Sequence, residues 1–505
     1  MTHKPEFLDY EPLTRVNSKR TAEKWIDEEG FGSEARAKAG HSEIDTKSAK
    51  ETVVQQGLHG TEDWAPVRRI SRAQSEVLDS PNQTESPHRT VEVLEHSGRR
   101  AWILKRGHSL SFAGLFLFTF LVYFRPYELF ESLSWLSSSA FWIAFLTLIV
   151  FLPTQLSLDG TITARPREVN LVLLLTLTAL LSVPFALEPL TAWNSFTGYL
   201  KVIVMFIVMV NVVRTEKRLK SLIVLILAAS VLLSLGGVND YRLGNLALQG
   251  RRIEGVIGGI FSNPNDLALH LVTMVPLTVG LLLSTSSYLK KLLYWFCALI
   301  LIAGVIVAFS RGGFLALGCA ICFLTWKLAP RSRVVFGVLG LALVLGLIAL
   351  APGAFRSRLT KDASAVARTD DLKRSIFLAV RNPIFGIGIG NYVFYSNQAK
   401  ATHNAYTQVA AELGLAAAVF YILFIIGPFK GFRTLEREYR ASRKKPPHYY
   451  FAITLQASLV GYMVASFFAS VAFLWYVYYL VGYAICLRRI LESSRDPDRT
   501  ALTEA

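Results

Sequence analysis

The chain of 505 residues contains little charge for its length. Asp, Glu, Lys and Arg together make up 18 % of it, whereas 52 % is hydrophobic; soluble proteins average roughly a quarter charged residues. This shortage of polar surface excludes a soluble multidomain protein and indicates a polytopic membrane protein. The net charge of +16 does not indicate a nucleic-acid partner, because Lys and Arg cluster between and beside apolar runs, as topology determinants do.

Cysteine is also scarce, and its placement excludes a disulfide framework. The four cysteines, Cys297, Cys319, Cys322 and Cys486, all lie inside apolar runs, where small packing residues are expected. We therefore predict no metal site and no cofactor. The polar first hundred residues contain no cleavable signal pattern, so we expect the first apolar run, from Ser109, to act as an uncleaved membrane signal.

Apolar runs divide the rest of the chain into an all-α polytopic membrane fold with about twelve transmembrane helices. Residues 1–100 are predicted to be a disordered cytoplasmic tail, because they have too few apolar residues to offset their ordering entropy. Helices 1–9 are expected within 101–351, a large outer loop at 352–404, helices 10–12 within 405–489, and a second cytoplasmic tail at 490–505. The ninth span is predicted at Val334–Ala351, the tenth at Ala405–Phe429 and the twelfth at Ser470–Leu487.

Basic residues indicate the orientation of these spans. The connections on the same side as the two tails are rich in Lys and Arg, whereas most connections on the other side are short and have almost no Lys or Arg. This difference predicts that both termini are cytoplasmic. Three outer segments break this rule: Gly236–Asn263, the Ser310-Arg311-Gly312-Gly313 link, and the long loop. Positive charge that topology does not require favours a bound anion at the outer face.

The sixth, eighth and tenth spans each begin at that face with a polar motif. Helix N-termini favour anions, so three of them facing one compartment can form a phosphate site. Arg251, Arg252 and Arg311 are the candidate phosphate ligands, and solvated arginines or an interface anchor are the alternatives. Asn263 and Asn265 either support the ligand or only cap the sixth helix.

His403 is the candidate catalytic residue, because a helix N-terminus favours the neutral imidazole that can accept a proton. Asn404, Gln408 and Glu412 follow at four-residue spacing as supporting residues on one helix face. For Glu412 we expect a position facing a cavity, with bonding between helices as the alternative.

Two further predictions concern the long loop. Asp370-Asp371 are predicted to cap a short helix on the outer membrane surface, with Leu372, Ile376 and Val380 on one face. The segment Asn382–Tyr392 is predicted to be a re-entrant or interfacial turn.

The order of these motifs resembles the O-antigen ligase and polymerase family of bacterial membrane glycosyltransferases. The resemblance covers about Gly250–Pro428 and rests on these motifs: Arg252 with Gly255, Phe261-Ser262-Asn263-Pro264-Asn265, Ser310-Arg311-Gly312, Asn382-Pro383 through Gly386-Ile387-Gly388, His403-Asn404-Ala405-Tyr406 and Glu412-Leu413-Gly414.

The resemblance implies a GT-C-like fold in the bacterial inner membrane with a periplasmic active site that needs no metal. It implies transfer of a glycan from an undecaprenyl-diphosphate carrier to an acceptor hydroxyl on a glycan, lipid A-core or protein. The matching residues would be Arg251 or Arg252 and Arg311 for the diphosphate, and His403 as the general base. A ligase is our reading, and a polymerase is the alternative. A transporter of an anion or lipid-linked sugar, and a non-catalytic scaffold, are the alternatives from other classes.

Overall fold

The computed structural model describes residues 107–245, 261, 263–328, 363–396, 401–439, 442 and 445–495, and these residues form helices joined by turns, without a strand. The helices are α1 (107–124), α2 (Pro126–Leu129), α3 (Ser139–Asp159), α4 (Arg167–Ser182), α5 (Pro189–Val212), α6 (Glu216–Leu243), α7 (Pro264–Ser284), α8 (Tyr288–Val307), α9 (Arg311–Leu328), α10 (Ala363–Arg381), α11 (Tyr392–Tyr395), α12 (Ala405–Leu413), α13 (Leu415–Tyr439), α14 (Pro447–Ala465) and α15 (Trp475–Arg495). Short 3₁₀ turns occupy Glu131–Ser138, Val183–Phe185 and Ser466–Phe468.

Ten helical segments of the described residues are long and apolar enough to cross a bilayer, which confirms an all-α polytopic membrane protein. They correspond to the predicted spans one to eight, ten and eleven. The predicted ninth span, Val334–Ala351, and the predicted tail at 1–100 lie outside the described residues.

The twelfth predicted span differs from the others. Its helix, α15, begins at Trp475 rather than Ser470, extends to Arg495, and is not among the ten apolar segments. Every residue from Trp475 to Leu487 is buried by the protein. A helix enclosed by its neighbours does not need a lipid-facing apolar surface, so its tyrosine-rich sequence is compatible with a position inside the bundle.

The tenth predicted span is broken, which corrects the prediction of one continuous helix over Ala405–Phe429. Gly414 has φ +92° and separates α12 from α13. A Cβ at this position would lie 2.4 Å from the carbonyl oxygen of Ile384, so the close approach of the two chain segments requires glycine. The break leaves α12 as a nine-residue helix in front of the span that begins at Leu415.

One end of the helix bundle collects the basic residues that the sequence analysis used for topology; we call it the basic end. Arg488 at the end of α15 forms a bidentate ion pair with Glu168 at the start of α4, with both N–O distances at 2.8 Å. Arg214 pairs with Asp159, and Lys327 pairs with Glu436. These contacts join helix ends that the alternation of spans predicts to lie on the same side of the membrane.

The opposite end, which we call the site end, contains the turn segment 382–391. The ring of Phe385 stacks on Phe185 at 4.6 Å, and the Ile389 N–H donates to Ser182 Oγ. On its other side the segment meets the break after α12, where the Leu415 N–H donates to the Pro383 carbonyl. The predicted turn therefore packs between the α4–α5 connection and the α12–α13 break.

The helix before this turn begins earlier than predicted. Asp370 and Asp371 do not cap it, because α10 starts at Ala363 and both acids lie inside it. The predicted face of Leu372, Ile376 and Val380 is present, and Ile376 and Val380 are exposed. Residues 363–369, before the two aspartates, are compatible with a helix, so the helix continues upstream of them. Aspartate is a common capping residue, but here it does not mark the start of the helix.

Candidate functional site

The N-termini of α7 and α9 are joined by side-chain hydrogen bonds. Asn263 caps α7, its side chain accepting the N–H of Asn265 at 2.9 Å. Ser310 Oγ donates to Asn265 Oδ1 at 3.0 Å and accepts the N–H of Gly313 at 3.2 Å. Two of the three predicted helix N-termini therefore meet, and Arg311, the first residue of α9, lies half-buried at their junction.

The connection between α14 and α15 covers this junction. A Cβ on Gly312 would lie 2.8 Å from the ring of Phe468, and one on Gly313 would lie 2.8 Å from Cβ of Ala268. The two glycines are packed closely against protein side chains, and this packing places Phe468 directly on the start of α9.

His403 contacts the same connection. Its backbone N–H donates to Ser470 Oγ at 2.7 Å, and Ser470 Oγ also lies 3.0 Å from Thr402 Oγ1. The connection at residues 466–470 thus touches Arg311's helix through Phe468 and the candidate base through Ser470. The structure brings Asn263, Asn265, Arg311, His403 and Asn404 to one end of the bundle.

Backbone strain marks this region. Among the described residues, positive φ angles outside glycine occur only at Arg125, Phe309 and His403, with φ values of 43°, 46° and 53°. Each costs about 1–3 kcal/mol, and such residues cluster at functional sites. Phe309 comes directly before Ser310, and His403 directly before the Asn404 cap, so two of the three strained residues flank the predicted chemistry.

Asn404 starts α12 as a side-chain cap, because its Oδ1 accepts the N–H groups of Tyr406 and Thr407 at 2.9 and 3.0 Å. One turn later, Gln408 is 6 % exposed, and its Oε1 has no hydrogen-bond partner among the described residues. Thr407 Oγ1 is likewise buried without one. Buried polar atoms usually have partners, so these two atoms of α12 are exceptions among the described residues.

Glu412 belongs to the turn segment rather than to the His403 contacts. Its Oε2 accepts the N–H of Gly390 at 2.9 Å, and the side chain is 3 % exposed. Burial raises the pKa of Glu412 to about 7, against the smaller lowering by the N–H groups of Gly390 and Tyr392. This geometry matches the alternative of bonding between chain segments, so Glu412 fixes the 382–391 turn against α12.

The remaining candidate residues are two arginines, possible metal ligands and the cysteines. Arg251 and Arg252 lie outside the described residues. Over the part of the chain that the structure describes, no three His, Cys, Asp or Glu residues are grouped closely enough to hold a metal ion. All four cysteines are free thiols.

Comparison with known families bears directly on this arrangement. Residues 296–422 match the family model described as O-Antigen ligase (Wzy_C). This region resembles the O-antigen ligase family. The match covers about a quarter of the chain, contains both Arg311 and His403, and confirms the family resemblance inferred from the motifs. No curated protein matches the chain.

The O-antigen ligase match is narrower than the motif region around Gly250–Pro428, because it begins after α7, at residue 296, and ends at residue 422. The 466–470 connection lies outside both ranges. It supports an activity of the glycosyltransferase-like ligase or polymerase type, on glycan or lipid-linked substrates in general. The multi-pass helical fold agrees with such a membrane-embedded activity.

Sequence reasoning missed the contribution of Phe468 and Ser470. Their connection has no charged residue and was interpreted only as a bare outer link. Its one local signal is the pair of serines, Ser466 and Ser470, beside an aromatic run. Serine is common in turns, so this signal alone does not identify a functional contact.

Proposed function

We propose that this protein transfers a glycan from an undecaprenyl-diphosphate carrier to an acceptor hydroxyl at the periplasmic face, as an O-antigen ligase-like enzyme. The observation that carries the proposal is that one connection contacts both candidate residues' segments: Phe468 packs on Gly312, next to Arg311, and Ser470 accepts the backbone N–H of His403. Both residues lie in the stretch that resembles the O-antigen ligase family.

The reaction needs a base and a stabilised leaving group. The acceptor hydroxyl is a weak nucleophile until its proton is removed, and we assign that proton to the imidazole of His403. The acceptor oxygen then bonds to the anomeric carbon while the bond from that carbon to the diphosphate oxygen breaks. The electron pair leaves with undecaprenyl diphosphate, and His403 later returns its proton to solvent.

Arg311 has the complementary role. Negative charge grows on the diphosphate as the glycosidic bond breaks, so a fixed guanidinium stabilises the transition state more than the ground state. The N-termini of α7 and α9 add positive dipole ends at the same junction. Arg251 and Arg252 are proposed as further diphosphate ligands, on sequence grounds alone.

Gln408 lies one turn after the Asn404 cap, five residues beyond His403. We propose it as a supporting residue on sequence grounds, from the helix face that it shares with Asn404. Loss of its amide should raise the KM for the glycan that receives the transfer more than the KM for the donor.

The main experiment replaces His403 and Arg311 separately by alanine in the native cell. We expect loss of the surface polysaccharide and accumulation of its lipid-linked precursor, with both variants present in the membrane at wild-type amounts. Arg433→Ala is the matched control, because Arg433 is an exposed arginine of α13 toward the basic end, away from the site end. Normal polysaccharide from well-expressed His403→Ala protein would refute the catalytic assignment.

A labelling experiment tests the orientation. Ser396 follows α11 near the site end, and Ser442 lies between α13 and α14 at the basic end. In a chain whose four native cysteines are replaced, Ser396→Cys should react with a membrane-impermeant thiol reagent added to intact spheroplasts, whereas Ser442→Cys should react only after permeabilisation. The reverse pattern would place the site end in the cytoplasm and contradict the proposal.

Product analysis separates the ligase from the polymerase. A ligase attaches one preassembled glycan to each acceptor, whereas a polymerase lengthens the glycan on the carrier. Purified protein given a lipid-linked donor and no separate acceptor should therefore leave the donor length unchanged. A ladder of longer carrier-linked products would instead assign the polymerase activity to the same site.

A further inference from the structure

Arg125 is the third residue with a strained backbone, and sequence reasoning did not single it out. It follows α1 with φ 43° and ψ 57°, in the left-handed region, and it is 5 % exposed. Helices commonly place glycine or asparagine in this conformation after their last turn. A buried arginine in the same position costs backbone strain and charge burial together, so the local turn by itself does not explain the choice of residue.

The end of α1 lies at the site end of the bundle. The ring of Tyr123, two residues before Arg125, packs against Phe261 with 6.0 Å between centroids. Phe261 lies two residues before Asn263, which caps α7. In the first turn of α7, Asn265 accepts the hydrogen bond from Ser310, the residue before Arg311. Lower in α1, Phe118 packs on Trp475 at the start of α15. The helix that carries Arg125 thus contacts both segments that border the candidate site.

The guanidinium of Arg125 is held in a fixed direction. Its Nε donates to the hydroxyl of Tyr127 at 2.9 Å, and its Nη2 pairs with Glu128 at 2.8 Å. Both partners lie in the short helix α2, which begins one residue later. A guanidinium that is oriented in advance loses little entropy when it binds an anion, and its planar group of donors suits phosphate oxygens.

We propose that Arg125 is an additional diphosphate-binding residue of the donor site, a buried cation at the end of α1, where Tyr123 packs on Phe261 just before α7. The proposal rests on the proposed function and extends it to a part of the chain that the family match does not cover. The ligand chemistry is a lipid-linked phosphate group. We assign it to the diphosphate of the donor, and the headgroup of a membrane phospholipid is the competing source.

The test measures equilibrium binding of undecaprenyl diphosphate to the purified full chain in nanodiscs of zwitterionic lipid. Arg125→Gly removes the guanidinium and keeps a residue that favours the left-handed backbone, so folding should be retained. We expect binding to weaken about 10- to 100-fold, the loss expected for one charge-assisted contact, while the melting temperature stays equal or rises. Arg125→Lys, which keeps the charge without the planar fork, should give an intermediate loss.

Two control variants separate binding from structure. Glu128→Gln removes the carboxylate of the ion pair and leaves the arginine, so donor binding should stay within about threefold of wild type. Arg433→Ala, at an exposed arginine of α13 toward the basic end, should bind the donor as wild type does. If Glu128→Gln and Arg125→Gly weaken binding equally and both lower the melting temperature, Arg125 serves only the turn and the proposal is wrong.

Competition identifies the source of the phosphate. An excess of phosphatidylglycerol should displace labelled undecaprenyl diphosphate from the wild-type protein only weakly. If phosphatidylglycerol competes as well as unlabelled undecaprenyl diphosphate does, the donor assignment is wrong. Unchanged donor binding by Arg125→Gly would also overturn it, even if His403→Ala and Arg311→Ala abolish transfer. Active His403→Ala would instead count against the proposed function, whatever Arg125 does.

Discussion

Replacing Ser470 by alanine tests how the fold holds the candidate base. The Ser470 hydroxyl accepts the backbone N–H of His403 at 2.7 Å, and the two residues are 67 positions apart in the chain. The change removes one oxygen and leaves the aromatic packing of the connection in place. His403 has φ 53°, so its backbone depends on such contacts to remain in the left-handed region.

The size of the effect follows from the contact that is lost. An unmade hydrogen bond from a largely buried group costs about 1–3 kcal/mol. If about 1–2 kcal/mol of this cost disfavours the strained backbone conformer of His403, the fraction of protein with His403 in place falls about 5- to 30-fold, and kcat falls with it. The KM for the donor should stay near its wild-type value, because Ser470 Oγ bonds to Thr402 and to the backbone of His403, the residue that we assign to the acceptor hydroxyl.

The assay is steady-state transfer from a lipid-linked donor by the purified full chain in nanodiscs, with kcat and KM measured separately. Ser466→Ala is the matched control, because Ser466 lies in the same connection and its hydroxyl donates to the Tyr406 hydroxyl and the Met463 carbonyl at a long 3.3 Å. It should keep kcat within about threefold of wild type. In a His403→Ala background, Ser470→Ala should cause no further loss.

Wild-type kcat for folded Ser470→Ala protein would refute the idea that this hydroxyl positions His403. The idea would also be contradicted if Ser470→Ala lowered kcat by the same factor in the wild-type and in the His403→Ala protein, because the effect would then not depend on the histidine.

Two further predictions concern the turn beneath α12. Gly414→Ala should lower stability by about 3 kcal/mol or more, because φ is +92° and its Cβ would meet the Ile384 carbonyl at 2.4 Å; Gly198→Ala, with open space around its Cβ, is the control in thermal unfolding. For Glu412 the folded carboxyl has a pKa of about 7, above its ordinary value. Its protonated form is therefore favoured by folding, and the associated stability is lost as pH rises toward and through 7. Glu412→Gln keeps an acceptor for the Gly390 N–H without ionising, so it should unfold at a higher temperature than wild type at pH 8 and not at pH 5. An unchanged difference between the two proteins from pH 5 to 8 would show that Glu412 does not titrate in this range.

Much of the fold followed from local sequence properties. The length of the apolar runs predicted ten of the helical spans that the structure contains, and basic residues predicted which helix ends lie together. Asn263 and Asn404 cap α7 and α12 as their residue types indicate. These features depend on neighbours a few residues away, which is why a single sequence was enough to predict them.

Other features depend on contacts between distant parts of the chain. The break at Gly414 arises because the 382–391 turn approaches that backbone, and no hydropathy pattern marks this contact. The same turn receives the Glu412 carboxylate, which sequence alone allowed to face either a cavity or another segment. α15 shows a third case, since burial by neighbouring helices replaces the apolar surface expected of a lipid-facing span.

The sequence by itself determined the residue types of the candidate site: a histidine before a helix cap, an arginine at a helix start, and asparagines that cap their own helices. Only the tertiary structure decided that Phe468 and Ser470 join these residues and that Arg125 lies at the same end of the bundle. The reason is physical, because helix capping is satisfied within a few residues, whereas the hydrogen bond from His403 to Ser470 exists only after separate helices have packed.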